Sequence, residues 1–360
     1  LTTLLFILPF FLLYGILAIY AERKVSAFIQ DRLGPMEAGY YGILQSVADL
    51  IKLLQKEDIV PAAADRPLFK VAPIIIFAAV FGGFAVIPLA PTWPGANLDS
   101  ALFFLLAIVS LDVIGIMVAG WSSNNKYSML GTMRSAAQII SYEIPLTLAV
   151  LCVCMYCESL NLQEISYQQS GFQTGSQYFM GVESWGIQVG QQGGFLAWNI
   201  FKMPILFFAW IIFFIASLAE SNRAPFDLPE AESEIVAGFQ TEYTGFRWGV
   251  IMLAEYGMML LVSILGAVLF FGSWNSPLIN IGGLKLYDWT TGTLGNISSI
   301  VWGIFWLMSK SLIFVMIQIW IRWTFPRLRV DQLMTVSWKY LTPIALALVL
   351  IIGFWKILIA

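Results

Sequence analysis

A chain of 360 residues that is 59% hydrophobic and 11% charged, with a mean hydropathy of +0.79, has too few charges to coat a soluble globule, where about a quarter of residues are charged. Its net charge of -3 gives nucleic acid no electrostatic footing. It has no histidine and three cysteines, which excludes histidine-bound haem or zinc, histidine general-base chemistry and a four-cysteine iron–sulfur site. It also lacks a P-loop and a GxGxxG turn, so nucleotide binding has no support.

These limits predict an all-α polytopic membrane protein, a single integral membrane domain over 1–360. A membrane-spanning helix needs about 20 apolar residues. Eight candidate spans run near 3–21, 68–90, 101–120, 134–157, 198–219, 246–272, 298–321 and 340–359. The first has no basic flank before it and no small-residue cleavage site after it, so it reads as a retained span. Between spans one and two, residues 22–66 form a loop containing "ILQSVADLIKLLQK" (43–56). Ser46, Asp49, Lys52 and Lys56 make a polar stripe on an apolar cylinder. Fourteen residues reach about 21 Å, too short to span, so this amphipathic helix is expected to lie in the interface or against a partner. In the fourth span, "CVCMYC" (Cys152, Cys154, Cys157) reads as small hydrophobes on a helix. Residues 158–197 form a long loop rich in Gln and Gly, with no assigned chemistry. The fifth span ends in "ESNRAPFDLPEAESE" (220–234), where six of fifteen residues are charged and five are acidic.

Lysine and arginine placement gives the orientation. Fifteen lie on one side and three (Lys202, Lys285, Lys356) on the other. Residues 22–66, 121–133, 220–245 and 322–339 are therefore expected in the cytoplasm or matrix, with 158–197 and both termini outside. No internal repeat is visible, which counts against a free-standing ion transporter.

A charge at mid-membrane costs about 3 kcal/mol on insertion scales. Asp112, Glu143, Glu255 and Lys310 fall within apolar runs, with Glu220 at a boundary. One lysine cannot neutralise three acids by pairing, so a relay of carboxyls and water that passes protons is the better account. In the acidic loop (220–245), Asp227 with Glu230 fits a helix-capping box. Glu230 and Glu234 share a helix face and repel.

Several stretches carry a resemblance. "AESNRAPFDLPEAESE" (219–234), "GFQTEY" (238–243) and "AEY" (254–256) resemble the membrane subunit at the heel of respiratory complex I, the family of the bacterial NADH-quinone oxidoreductase H subunit and mitochondrial NADH dehydrogenase subunit 1. "AERKVSAFIQDRLGP" (21–35), "LQSVADLIKLLQKE" (44–57), "GWSSNNKYSMLGTMRSAAQIISYE" (120–143) and "RWTFPRLRVDQLM" (322–334) are similar to its other cytoplasmic-side loops, in order. Met36, Ser221 and Val330 stand where the family usually has Asn, Thr and Tyr, and the resemblance assigns Asp112 no role.

The resemblance implies a subunit of a proton-pumping NADH:quinone oxidoreductase with no redox centre, metal, haem, flavin or iron–sulfur cluster of its own and quinone as substrate. It implies hydrophilic iron–sulfur and quinone-site partner subunits, small membrane and antiporter-like partners, and lipid. A bacterial plasma membrane is favoured over the mitochondrial inner membrane. Glu22, Arg23, Arg32, Asp49, Lys52, Arg223 and Asp227 are implied at the quinone chamber. Glu143, Glu220, Glu230, Glu232, Glu234 and Glu255 are implied in proton coupling, with Lys310, Arg322, Arg327, Arg329 and Asp331 in support. A membrane-bound hydrogenase-type complex is the related alternative.

Overall fold

The computed structural model describes residues 2–170, 178–182, 193–228, 235–280, 285–291 and 297–359. Among them the chain is helical, with one isolated bridge between Ala90 and Trp93 and no sheet. Seven helical segments are long and apolar enough to cross a membrane, and an eighth, of 16 residues, is apolar but shorter. The protein is a polytopic all-α membrane protein.

Helix α1 (Thr2–Ile29) runs well past the expected end at residue 21. Nothing in "ERKVSAFI" breaks a helix; it ends where Asp31 takes a positive φ of 50° and the Arg32 N–H closes on the Ala27 carbonyl at 2.9 Å. Glu22, Arg23 and Lys24 are thereby helical rather than part of a loop. Helix α2 (Gln45–Gln55) follows, then α3 (Arg66–Gly83). The expected span 101–120 is two helices, α4 (Ala101–Val109) and α5 (Leu111–Ser122). They meet at Ser110, whose hydroxyl donates to the Leu106 carbonyl at 2.9 Å, a back-bond that bends helices.

Helix α6 (Lys126–Cys157) begins before the expected residue 134, because the Asn125 side chain accepts from the Tyr127 N–H at 2.9 Å and caps it. The expected loop 121–133 is thus mostly helix. Helices α7 (Leu162–Gln168) and α8 (Asn199–Lys202) are short, and Pro204 separates α8 from α9 (Ile205–Glu220). After α10 (Gly245–Phe270) and α11 (Leu286–Thr291) comes α12 (Ile297–Thr324). Helix α13 (Val330–Thr335) passes through a π-helical turn, Val336–Leu341, into α14 (Thr342–Ile359). Most of the expected loop 322–339 is therefore helical too.

Helix α10 packs on α1, α3, α9 and α12. Phe11 of α1 inserts among Phe77, Phe81 and Phe84 with ring centroids 5.5–5.9 Å apart. Gly257 makes room for it, since a Cβ there would lie 2.4 Å from the Phe11 ring. A second close approach sets the acidic segment: a Cβ on Gly131 of α6 would lie 2.6 Å from the Gly238 Cα. Residues 238–240 are thus held flat against α6, just before α10 begins.

The helix ends rich in Lys and Arg are tied together by polar contacts. The Asp65 N–H donates to the Ser122 carbonyl at 2.9 Å, the Asn124 amide donates to the Ala63 carbonyl at 3.1 Å, and Arg247 pairs with Asp58 at 2.7 Å. All three cysteines are buried and free, so background labelling by a membrane-impermeant thiol reagent is low. Cysteines introduced at the exposed Lys56 and Trp289 are expected to label from opposite faces, Lys56→Cys from the cytoplasm. Labelling of both from one face would overturn the eight-span arrangement.

Candidate functional site

At the basic end, one buried carboxylate gathers four elements. Glu22 of α1 accepts from Arg322 of α12, from Arg223 Nη1 at 3.3 and 3.4 Å, and from the Tyr256 hydroxyl of α10. The Arg223 guanidinium also lies over the Tyr256 ring, 4.3 Å from its centroid. Glu22, Arg223 and Tyr256 are all buried. The partners are 201, 234 and 300 residues from Glu22 in sequence. An isolated carboxylate here would be costly, and two guanidinium groups with a phenol satisfy it.

The segment leaving α9 is fixed from α6. The Gln138 side-chain amide donates to the Ala219 carbonyl at 2.8 Å and the Phe226 carbonyl at 2.7 Å. This stretch, with a cis bond before Pro225, sets Arg223 inward and Asp227 beside Arg327 at 3.0 Å.

The intramembrane acids gather next to this cluster. Glu220 and Glu255 line one internal cavity with Asp112. Glu255 accepts from the Gln240 amide at 2.6 Å, and Glu143 accepts from the Ser110 hydroxyl at the α4–α5 junction. Glu255 and Tyr256 are consecutive on α10, about 100° apart on the helix. One points into the acidic cavity while the other bonds Glu22. Glu220 and Arg223 make the same link three residues apart. The two clusters are therefore joined through backbone as well as through space.

Towards α10, Tyr243 stacks flat on Phe69 at 4.2 Å and donates to the Phe69 carbonyl at 3.3 Å. Burial pushes its phenol up to about 12, so it stays protonated.

A model of the NADH dehydrogenase family matches residues 1–353. The chain belongs to this family. It is 58% identical over 357 residues to the NADH-quinone oxidoreductase H subunit 2 of Cytophaga hutchinsonii, covering 98% of each chain. It is 51% identical over 354 residues to the NADH-quinone oxidoreductase H subunit of Chlorobium luteolum, covering 98% of this chain and 87% of that one. With the NADH-quinone oxidoreductase H subunit of Bacillus mycoides the identity is 46% over 345 residues, covering 96% and 89%.

In this NADH dehydrogenase-family chain the remaining candidates fall into place unevenly. Arg23 pairs with Asp49 of α2, which also accepts from the Gln45 amide at 3.1 Å. Arg32 bonds Gln30 at 2.7 Å and Ser26 at 3.4 Å rather than a carboxylate. Lys52, Arg329 and Asp331 are exposed. Glu230, Glu232 and Glu234, with the expected capping box, lie outside the described residues.

Lys310 does not join the acids. It lies at the opposite end of α10, where its ammonium donates to the carbonyls of Phe271 (2.7 Å), Ser273 (2.9 Å) and Asn275 (2.6 Å). It also lies 4.4 Å over the Trp198 ring. A cation there caps the carbonyl end of the helix. Among the described residues no three His, Cys, Asp or Glu side chains are placed to share a metal ion.

Sequence reasoning passes over Tyr256, Gln138 and Ser110. Tyr256 closes the quoted "AEY" and is within its reach; a buried Tyr needs a hydrogen-bond partner. Gln138 and Ser110 give no signal of their own.

Proposed function

We propose that this chain is the membrane subunit of a proton-pumping NADH:quinone oxidoreductase. In this reading it forms much of the quinone chamber and couples quinone reduction to proton translocation. Electrons come from NADH through partner subunits that carry the redox centres. Hydrophilic subunits roof the chamber from the cytoplasm, and antiporter-like subunits take the protons onward. The family membership and the naming of its relatives support the complex; one geometric observation supports the coupling. Consecutive residues of α10, Glu255 and Tyr256, face an acidic cavity and an arginine-bound carboxylate respectively. A quinone reduced to a quinol draws protons from its surroundings. A change of charge near Glu22 acts directly on Arg223 and Arg322 and, through them, on the neighbouring acids.

Within this reading Arg23, Arg32 and Asp49 line the chamber, Glu22 and Lys52 support it, Arg223 and Asp227 surround it, and Glu143, Glu220 and Glu255 hold and pass protons. Glu230, Glu232 and Glu234 belong to the same acidic path. Arg327, Arg329 and Asp331 flank it on the cytoplasmic side.

Arg23 and Asp49 supply the test. Their side chains are 44% and 33% exposed, so the pair contributes at most about 1 kcal/mol to stability. Arg23→Ala and Asp49→Asn are therefore expected to leave folding intact. In purified complex they should depress quinone reduction while NADH oxidation by an artificial acceptor, which draws electrons upstream, continues. Equal loss of both rates would place the pair outside the chamber.

A further inference from the structure

Asp112 lies in the first turn of α5, two residues after Ser110, whose hydroxyl donates to Glu143. It is 7% exposed, and its Oδ1 is buried without a hydrogen-bond partner among the described residues. A buried acceptor left so bears its full desolvation cost. Asp112 lines the same cavity as Glu220 of α9 and Glu255 of α10. The wall from α3 is Ile76, and among the described residues no lysine or arginine lines the space. Glu143 of α6, outside the lining, interacts electrostatically with Glu220, as Asp112 does. The cavity offers a volume of about 10 Å³ to the centre of a water-sized sphere. That is close to what one water molecule occupies by this measure, and a buried water needs two to four polar partners. Three carboxyl groups supply them.

We infer that Asp112 is a further proton-carrying residue of this chain, joined to Glu220 and Glu255 by a single water held in the cavity between α5, α9 and α10. The inference rests on the function proposed above. A protonated carboxyl gives its proton to the water as the water gives one of its own to a facing carboxylate. One O–H bond breaks and one forms on each side. The water is unchanged, and the proton has moved from one acid to another. Oδ1 of Asp112 thereby gains its missing partner. Asparagine has nearly the same shape and still hydrogen-bonds, through one acceptor oxygen and an NH2 donor, but cannot take part in this exchange.

The test uses the assembled complex carrying Asp112→Asn, Asp112→Glu or Glu220→Gln. Quinone-linked NADH oxidation is measured across pH, with ferricyanide reduction as the control for assembly. Asp112→Asn is expected to lower the quinone-linked rate about a hundredfold with the ferricyanide rate intact. Asp112→Glu is expected to keep part of the rate and to move the pH profile, which a packing role would not do. If Asp112→Asn keeps the parental rate and profile while Glu220→Gln loses activity, the inference is wrong and the proposed function stands. If both keep the parental rate, both are wrong.

Should Asp112→Asn fail to assemble, infrared difference spectra of the parent complex before and after reduction decide. With carboxyl-labelled aspartate, a carboxyl band is expected in the parent and lost in Asp112→Glu. A parent spectrum lacking that band overturns the proposal.

Discussion

Replacing Glu22 with glutamine is expected to cause the largest loss of stability of any single polar substitution in this chain. Glu22 is buried and faces two guanidinium groups. The Arg223 side chain is 5% exposed. Removing the carboxylate charge breaks a buried ion pair between two facing guanidinium groups, a change that costs about 3–5 kcal/mol. The four elements that meet at Glu22 lose their common tie together. A marked fall in the thermal midpoint of the detergent-purified complex is the expected reading. Adding Arg223→Met to Glu22→Gln should restore part of it, because one of the two facing positive charges is then gone. A Glu22→Gln complex that melts with the parent would show that the arginines are neutralised by other groups.

Glutamine at Glu220 or Glu143 tests the proton path. Glu220 and Glu255 line a cavity to which no described lysine or arginine contributes, and two of the acids accept from neutral donors: Glu143 from Ser110 and Glu255 from Gln240. These donors orient the acids. Removing the exchangeable proton while keeping shape should cut quinone-linked turnover by about two orders of magnitude, the usual scale for a positioned acid–base group. Proton translocation in liposomes should fall in the same proportion, and Glu→Asp should keep part of both. Glu143→Gln and Glu220→Gln complexes that assemble and pump at the parental rate would make these carboxylates structural.

The helices that cross a membrane are legible in the sequence because an apolar run of the needed length has few other uses. Their ends are less so. Hydropathy falls at Glu22, yet the backbone stays helical to Ile29, since ionic side chains change solvation and not helix-forming capacity. The same holds for Lys126–Arg134 at the start of α6. The interruption at Ser110 leaves no mark, because Ser within an apolar helix usually only bonds the preceding turn. The candidate acids stand out by their rarity, but their partners do not. Glu22 meets Arg322 across 300 residues, a distance at which no spacing rule operates. Lys310 shows the limit from the other side. Charge counting places it among the acids, whereas it satisfies backbone carbonyls at the opposite end of α10.

The position of α10 bears on how this protein meets its solvent. In its most apolar window 89% of residues are buried within the protein, against 22–56% for the other long helices. The outer helices therefore do the matching to bilayer thickness, by tilting or by reaching to the headgroups. Helix α10 is solvated by its own chain. Within it Tyr256 is buried and Glu255, half-buried, lines the acidic cavity, so both incur less of the insertion cost that lipid contact would impose. Lipids of different chain length act on such a helix only through its neighbours, so thinning or thickening the bilayer should disturb the outer helices first and these two residues last.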